Sequence, residues 1–242
     1  MGGTSGIGAA IVDALYQRGL DVLVMSDDGE TGQRHSDSGG HFEVLDLALS
    51  PGEVGAKVQD ILRRYGPPTY LFMSAGLTRE NPAVDTSVDE WMLLANVNLL
   101  GVVQLCNHVA KAWRLAPGTA WQRQMVILGS VNALRPLSSQ AAYTVMKAGL
   151  HAYAKCLSND VAAIEARVNI VVPGSIWTPM NEPLFADDAT GLARQAIASS
   201  ALVKRWGEAR EVADVAVWLA LDSPPFVAGE EIVVDGGYLA KR

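Results

Sequence analysis

The sequence contains few of the residues that build disulfides, metal sites or nucleic-acid surfaces. Its two cysteines, Cys106 and Cys156, lie in separate apolar stretches and are predicted to be reduced core residues. Its four histidines form no pair at metal-ligand spacing, so no metal site is expected. Acidic residues outnumber basic ones, giving a net charge of −7 without a Lys/Arg cluster, which argues against nucleic acid or anionic lipid as a partner. We expect a small-molecule substrate.

Segments that would target, anchor or divide the chain are also missing. The first residues are glycine-rich and polar rather than basic and then apolar, so no signal peptide is predicted. No apolar run approaches the roughly 20 residues that cross a bilayer. No Pro/Gly/Ser-rich linker interrupts the 242 residues. These absences predict a single domain over residues 1–242, without a membrane segment and located in the cytoplasm.

A strand is lacking before the stretch "GGTSGIG" at residues 2–8. Gly2, Gly6 and Gly8 at the start of an apolar helix are typical of a dinucleotide phosphate loop, which normally follows a buried strand. Such a loop turns tightly and brings a pyrophosphate to the helix N-terminus. We favour an active enzyme whose start is truncated or misassigned. The alternative is a non-catalytic nucleotide-binding or inactive protein, because losing a central strand leaves backbone groups unpaired.

Helical and strand patterns alternate along the remaining chain. The predicted helices cover 6–18, 51–66, 91–115, about 140–165 and 211–221, and the strands cover 21–26, 41–46, 69–76, 125–130, 167–172 and 231–237. The polar stretch 27–40 is predicted as a loop, and 175–206 as a mobile segment that covers substrate. The pattern predicts an α/β fold: a doubly wound, Rossmann-like parallel sheet in three α/β/α layers, with the first central strand absent.

Three side chains suggest an acid–base centre. Tyr143 and Lys147 are four residues apart on a predicted helix and therefore share one face. A neighbouring ammonium stabilises a phenolate and lowers the phenol pKa from about 10. Ser130 ends the strand 125–130, at the carboxyl edge where open α/β sheets bind ligands.

Nine motifs in order make the chain similar to the short-chain dehydrogenase/reductase family, in its short single-domain branch, over residues 2–237. The motifs are GGTSGIG, DL, SAG, NVNLLG, GS, YTVMK, RVNIVVPGSIWTPM, RWGEAREVADVAVWLA and VDGG. The resemblance implies that Tyr143 is the general acid/base, that Lys147 lowers its pKa and binds the nicotinamide ribose, and that Ser130 orients the substrate oxygen. It implies that Asn98 holds a water connecting Lys147 to solvent. The chain departs from the family pattern at Ser74, where the family has an asparagine that braces the central strands.

The same resemblance implies a nicotinamide cofactor. The residues implied to bind it are Gly2, Ser5, Gly6, Ile7, Gly8, Asp27, Asp46, Leu47, Ala75, Gly76, Tyr143, Lys147, Pro173, Gly174, Ile176 and Thr178. Ser26 stands at the family's usual aspartate position, and Asp27 stands where NADP-users often carry arginine. Adjacent Asp27 and Asp28, with no basic residue before Arg34, favour NAD over NADP because carboxylates repel a 2′-phosphate.

The expected reaction is alcohol oxidation or ketone reduction. Enoyl-reducing relatives space the Tyr–Lys pair more widely, and a polyol, sugar or small hydroxy acid is the favoured substrate. The alternative is an NADP-dependent 3-oxoacyl-type ketone reductase. Residues expected to face substrate are Asn132, Leu134, Arg135, Trp177, Met180 and Asn181. The two long helices are apolar on more than one face, and with the resemblance this predicts a homodimer or homotetramer.

Overall fold

A computed structural model describes residues 1–32, 40–116, 118, 120–186 and 188–241. In chain order the helices are α1 (Gly6–Gln17), α2 (Pro51–Tyr65), α3 (Val88–Ala95), α4 (Gly101–Leu115), α5 (Ala141–Ala162), α6 (Leu192–Ser200) and α7 (Ala209–Leu221). The strands are β1 (Leu23–Ser26), β2 (His41–Val44), β3 (Tyr70–Met73), β4 (Arg123–Leu128), β5 (Ala166–Pro173), β6 (Ile176–Trp177), β7 (Gly207–Glu208) and β8 (Glu231–Val234). A π-helical turn, Asn96–Leu100, joins α3 to α4, and short 3₁₀ turns cover Val131–Ala133 and Glu182–Phe185.

All of the strand pairs are parallel. Strands β3, β4, β5 and β8 form one sheet in the order β3-β4-β5-β8, and β1 pairs with β2. Alternate side chains of β4 enter two different cores. Met125 and Ile127 pack towards α2, α4 and α5, whereas Val126 and Leu128 pack towards α1 and α7. The helices therefore cover both faces, which confirms the predicted doubly wound α/β/α architecture.

Residues 1–2 lie between β1 and β3. The amide of Gly2 donates a hydrogen bond to the Met25 carbonyl (2.7 Å), and the amino group of Met1 donates to the Phe72 carbonyl (2.8 Å). Within the described ranges no strand lies between β1 and β3. Burial lowers the pKa of the Met1 amino group to about 5. Backbone from the start of the glycine loop thus connects the β1–β2 pair to the four-stranded sheet.

The stretch after β1 departs from its predicted loop. Residues 29–32 are helical, and the Asp28 carboxylate accepts a hydrogen bond from the amide of Thr31 (3.0 Å). The loop prediction is wrong for this turn because the aspartate caps it. Residues 33–39, including Arg34, lie outside the described residues.

The helical stretch Val88–Leu115 is long and apolar enough to cross a membrane, with a mean hydropathy of 1.4 over its most apolar 18 residues. The expectation that no apolar run approaches this length is therefore wrong. Core packing accounts for much of the apolar content, since Val102, Leu105 and Val109 of α4 are almost completely buried.

Candidate active site

A large cavity opens at the carboxyl ends of the parallel strands. Its volume is about 950 Å³, towards the upper end of the roughly 300–1,000 Å³ of small-molecule sites. The cavity extends from the glycine loop, past the ends of β1 and β3, to Ser130 and Tyr143. Of the residues predicted to bind a cofactor, all except Lys147 line it. The fold thus brings residues from distant parts of the sequence to one site.

The glycine loop fits a dinucleotide phosphate. Gly2 and Gly6 have positive φ angles of +79° and +52°, which side chains rarely adopt. A Cβ atom on Gly8 would lie 1.8 Å from the Gly2 carbonyl oxygen, so the first turn of α1 requires glycine at position 8. The N-cap residue of α1, Ser5, makes no side-chain capping bond, and an uncapped helix N-terminus suits a pyrophosphate.

Ser74 replaces the bracing asparagine with a shorter brace. Its hydroxyl donates to the carbonyl oxygens of Met1 (3.0 Å) and Gly2 (3.1 Å). The end of β3 therefore still supports the glycine loop.

Carboxylates lie at the end of the cavity beside β1, where the sequence predicts that the cofactor ribose binds. The hydroxyl of Ser26 donates a hydrogen bond to the Asp27 carboxylate (3.2 Å). It is also hydrogen-bonded to the Thr4 hydroxyl (2.9 Å). Asp27, Asp28 and Asp46 all line the cavity, and Arg79, after β3, is the one basic residue among the described lining residues. This end of the cavity is therefore acidic.

Ser130, Tyr143 and Lys147 meet at the other end. The Lys147 ammonium donates to the Leu128 carbonyl (2.8 Å) and lies 5.8 Å from the centre of the Tyr143 ring. Lys147 is only 4% exposed, and burial lowers its pKa to about 8. The lysine thus lies behind the cavity wall, with Tyr143 in front of it.

The pKa of Tyr143 differs in direction from the expectation. Burial raises it, and a hydrogen bond with Ser130 offsets only part of that rise. The Lys147 ammonium, itself desolvated and bonded to the backbone, does not reverse this rise. The lowering by Lys147 that the family resemblance implies therefore stays a prediction.

Asn98 is completely buried in the π-helical turn. Its amide nitrogen donates to the carbonyls of Leu77 (2.8 Å) and Leu94 (3.1 Å), and its oxygen accepts from the Leu77 amide (3.0 Å). The side chain therefore braces the loop after β3 against the α3 helix. Its predicted role of holding a relay water stays a prediction.

The residues predicted to face substrate divide into two groups. Asn132, Met180 and Asn181 line the cavity. Leu134, Arg135 and Trp177 lie outside its lining.

Two of the three outside residues contact aromatic side chains that the sequence analysis did not name individually as substrate-facing. The guanidinium of Arg135 lies 4.8 Å from the centre of the Tyr238 ring, and Trp177 packs against Phe185 and Trp206. Phe185, Trp206 and Tyr238, together with Gln140, line the cavity. The aromatic residues in the non-periodic stretch 175–206 were the available signal, since such residues need a surface to cover.

In the part of the chain that the structure describes, no group of three or more His, Cys, Asp or Glu residues is placed to hold a metal ion.

Comparisons with known proteins agree with this geometry. Residues 2–239 match a family model described as enoyl-(acyl carrier protein) reductase. The chain is 31% identical over 238 residues to 3-oxoacyl-[acyl-carrier-protein] reductase FabG of Escherichia coli K12, covering 98% of this chain and 94% of that protein. It is also 31% identical over 237 residues to carbonyl reductase family member 4 of Xenopus laevis, with the same coverage.

The fold is similar to that of a solved short-chain dehydrogenase/reductase from Brucella melitensis, described as a glucose/ribitol dehydrogenase. The TM-score is 0.84 at 28% identity, and the match covers 98% of this chain and 94% of that one. The likeness therefore extends over nearly the whole fold.

Proposed function

Because the chain belongs to the short-chain dehydrogenase/reductase family of oxidoreductases, we propose that it transfers a hydride between NAD(H) and a secondary alcohol or ketone. The observation that carries this proposal is the meeting of Ser130, Tyr143 and Lys147 at one end of a cavity whose other end is the glycine loop. A bound nicotinamide would supply the hydride acceptor or donor.

The protein's own residues hold the substrate oxygen and move its proton. The Ser130 hydroxyl accepts a hydrogen bond from the Asn132 amide (3.2 Å), which fixes its direction towards Tyr143 and the substrate. Tyr143 takes the hydroxyl proton in alcohol oxidation and returns it in ketone reduction. The Lys147 ammonium behind the ring favours the phenolate, which is the base that accepts the proton in oxidation and the form left behind in ketone reduction.

The preference for NAD is supported by the acidic ribose end of the cavity. Asp27 follows β1 directly, and an added 2′-phosphate there would meet Asp27 and Asp28. Fluorescence titration should therefore show tighter binding of NADH than of NADPH. Asp27→Asn should reduce this preference, whereas Asp21→Asn, which neutralises a carboxylate paired with His41 away from the cavity, should leave it unchanged. Tighter binding of NADPH by the unmodified protein would contradict the assignment.

The substrate class has two candidates. The 3-oxoacyl thioesters, named for the FabG relative, are supported by the aromatic residues Phe185, Trp206 and Tyr238 along the cavity, which suit an apolar substituent. A polyol, sugar or small hydroxy acid would instead use the polar groups of Asn132 and Asn181.

A panel of substrates separates these candidates. Small polyols and hydroxy acids, 3-oxoacyl thioesters and 2-enoyl thioesters are assayed in the appropriate direction with each nicotinamide cofactor. We expect turnover of a secondary alcohol or ketone, which Tyr143→Phe abolishes. Reduction of the enoyl thioester alone would overturn the proposed reaction, since that chemistry acts on a carbon–carbon double bond.

A further inference from the structure

A buried histidine contacts the backbone of the active-site serine. His151 lies one helical turn after Lys147 on α5 and is 5% exposed. The amide of Ser130 donates a hydrogen bond to its Nε2 atom (3.3 Å). A Cβ atom on Gly129 would lie 2.1 Å from the same nitrogen, so glycine before Ser130 makes room for the ring.

The other ring nitrogen faces a carboxylate. The Nδ1 atom of His151 lies 3.3 Å from Oε2 of Glu231 on β8. The second oxygen of Glu231 pairs with the Lys155 ammonium (2.7 Å), which is exposed on α5. Nδ1 makes no aligned hydrogen bond with Glu231, so the link from the surface through Glu231 to His151 is electrostatic, and the ring is hydrogen-bonded to the amide of Ser130.

These contacts assign the tautomer of the ring. Because Nε2 accepts the Ser130 amide proton, it must carry a lone pair, and the ring proton then resides on Nδ1, towards Glu231. Burial lowers the pKa of His151, Glu231 opposes this shift, and Lys147 and Lys155 add to it. The net shift is downwards, so the ring is neutral near pH 7.

We propose that His151 is a positioning residue for the proposed reaction: as a neutral acceptor beside Glu231, it holds the Ser130 backbone, and hence the Ser130 hydroxyl, in place at the end of β4. This inference rests on the proposed function. It goes beyond it by adding a residue that contacts no substrate and acts only through Ser130.

Protonation disrupts this arrangement. A proton on Nε2 would oppose the Ser130 amide proton and remove its acceptor, and it would add a positive charge near Lys147. Among the described residues, the charged groups that act on the ring are Glu231 from β8 and Lys147 and Lys155 from α5. Turnover should therefore fall on the acid side of the pH profile, below the ordinary histidine pKa, with little change in the KM of the cofactor.

Two variants of His151 separate positioning from packing. His151→Gln can place its oxygen where Nε2 lies, keeping an acceptor that does not titrate, and we expect it to retain turnover and lose the acid limb. His151→Leu fills the space without an acceptor, and kcat should drop by about tenfold at pH 7. Equal losses in both variants, with the acid limb unchanged, would overturn the proposal.

Removing the charge of Glu231 or of Lys155 should move the acid limb of the pH–turnover profile in opposite directions. Glu231→Gln removes the charge that raises the pKa of His151, so the limb should shift to lower pH. Lys155→Met removes a charge that lowers it, so the limb should shift to higher pH. A limb that stays fixed in both variants would assign it to another group and contradict the proposal.

Nuclear magnetic resonance of the cofactor-free protein tests the geometry without any assay of activity. Ring nitrogen shifts should show the Nδ1–H tautomer of His151 and its titration below pH 6.5. A protein that shows this tautomer but turns over no alcohol or ketone would refute the proposed function and leave the contact intact. The opposite tautomer in an active enzyme would refute the positioning role alone.

Discussion

Tyr143 is the residue whose loss should be most specific for the chemical step. Its hydroxyl lies in the cavity beside Ser130, and general acid–base catalysis contributes about 10²–10⁴-fold to a rate. Tyr143→Phe should therefore lower kcat by this range while the dissociation constant of NADH changes less than about threefold. Steady-state kinetics and fluorescence titration measure the two quantities. More than a tenth of the original kcat would argue against Tyr143 as the acid/base.

The buried Lys147 should change how the free energy of unfolding depends on pH. Its pKa is about 8 in the folded protein and 10.5 ordinarily, so between these values the unfolded chain binds more protons. The free energy of unfolding contributed by this group therefore rises as the pH increases from 8 to 10.5.

Lys147→Met removes this dependence. Below pH 8 the variant avoids the cost of a buried ammonium, which is about 3 kcal/mol and is partly offset by the lost hydrogen bond to Leu128. Urea unfolding of the cofactor-free proteins at pH 7 and pH 10 measures the difference. Parallel pH dependences in the two proteins would contradict the buried, protonated state.

The parts of the site that could be predicted are those whose signal lies in residues close together in the sequence. The glycine loop fixes the start of α1, and the four-residue spacing places Tyr143 and Lys147 on one helix face. Ser130 was placed by the end of its strand. The contacts of Asn98 with Leu77 and of His151 with Glu231 were not predictable, because they join segments that are distant in sequence.

The missed elements have a similar cause. The π-helical turn Asn96–Leu100 lies inside a predicted helix, and its residues carry no signal that distinguishes a π-turn from an α-turn. The helical turn at 29–32 lies in a polar stretch without helical periodicity. The aromatic residues of 175–206 have no regular spacing. Their shared role at the cavity follows only from tertiary packing.

The packing of α1 against the glycine loop gives an element-scale prediction. Gly8→Ala would place a methyl group 1.8 Å from the Gly2 carbonyl oxygen, so the loop must shift. We expect the variant to lose NADH affinity by at least tenfold and to melt at lower temperature. Gly52→Ala in α2, where an added Cβ meets no atom within 4 Å, is the matched control: NADH affinity should be unchanged, and the melting temperature should stay the same or rise, because alanine favours the helix. Unaltered binding by Gly8→Ala would contradict the loop geometry.

At the scale of the whole molecule, apolar side chains remain exposed on the helices that carry the site. Val88 and Met92 of α3 and Val145 of α5 have exposed fractions of 76%, 54% and 52%. Such surfaces mark sites of association between proteins. We propose that they contribute to a homodimer or homotetramer, in which isologous contacts repeat the same surface on each copy.

Sedimentation velocity tests this assembly, and charged substitutions locate it. The unmodified protein should sediment as a dimer or tetramer at micromolar concentration. Met92→Glu and Val145→Glu should each shift it towards the monomer, because a carboxylate would be desolvated in the contact. Leu115→Glu, at the end of α4 with an exposed fraction of 89%, is the control for added charge and should not change the distribution. A monomer at every concentration would refute the assembly. An oligomer that survives both charged variants would refute the contribution of these two side chains and place the contact between subunits on another surface.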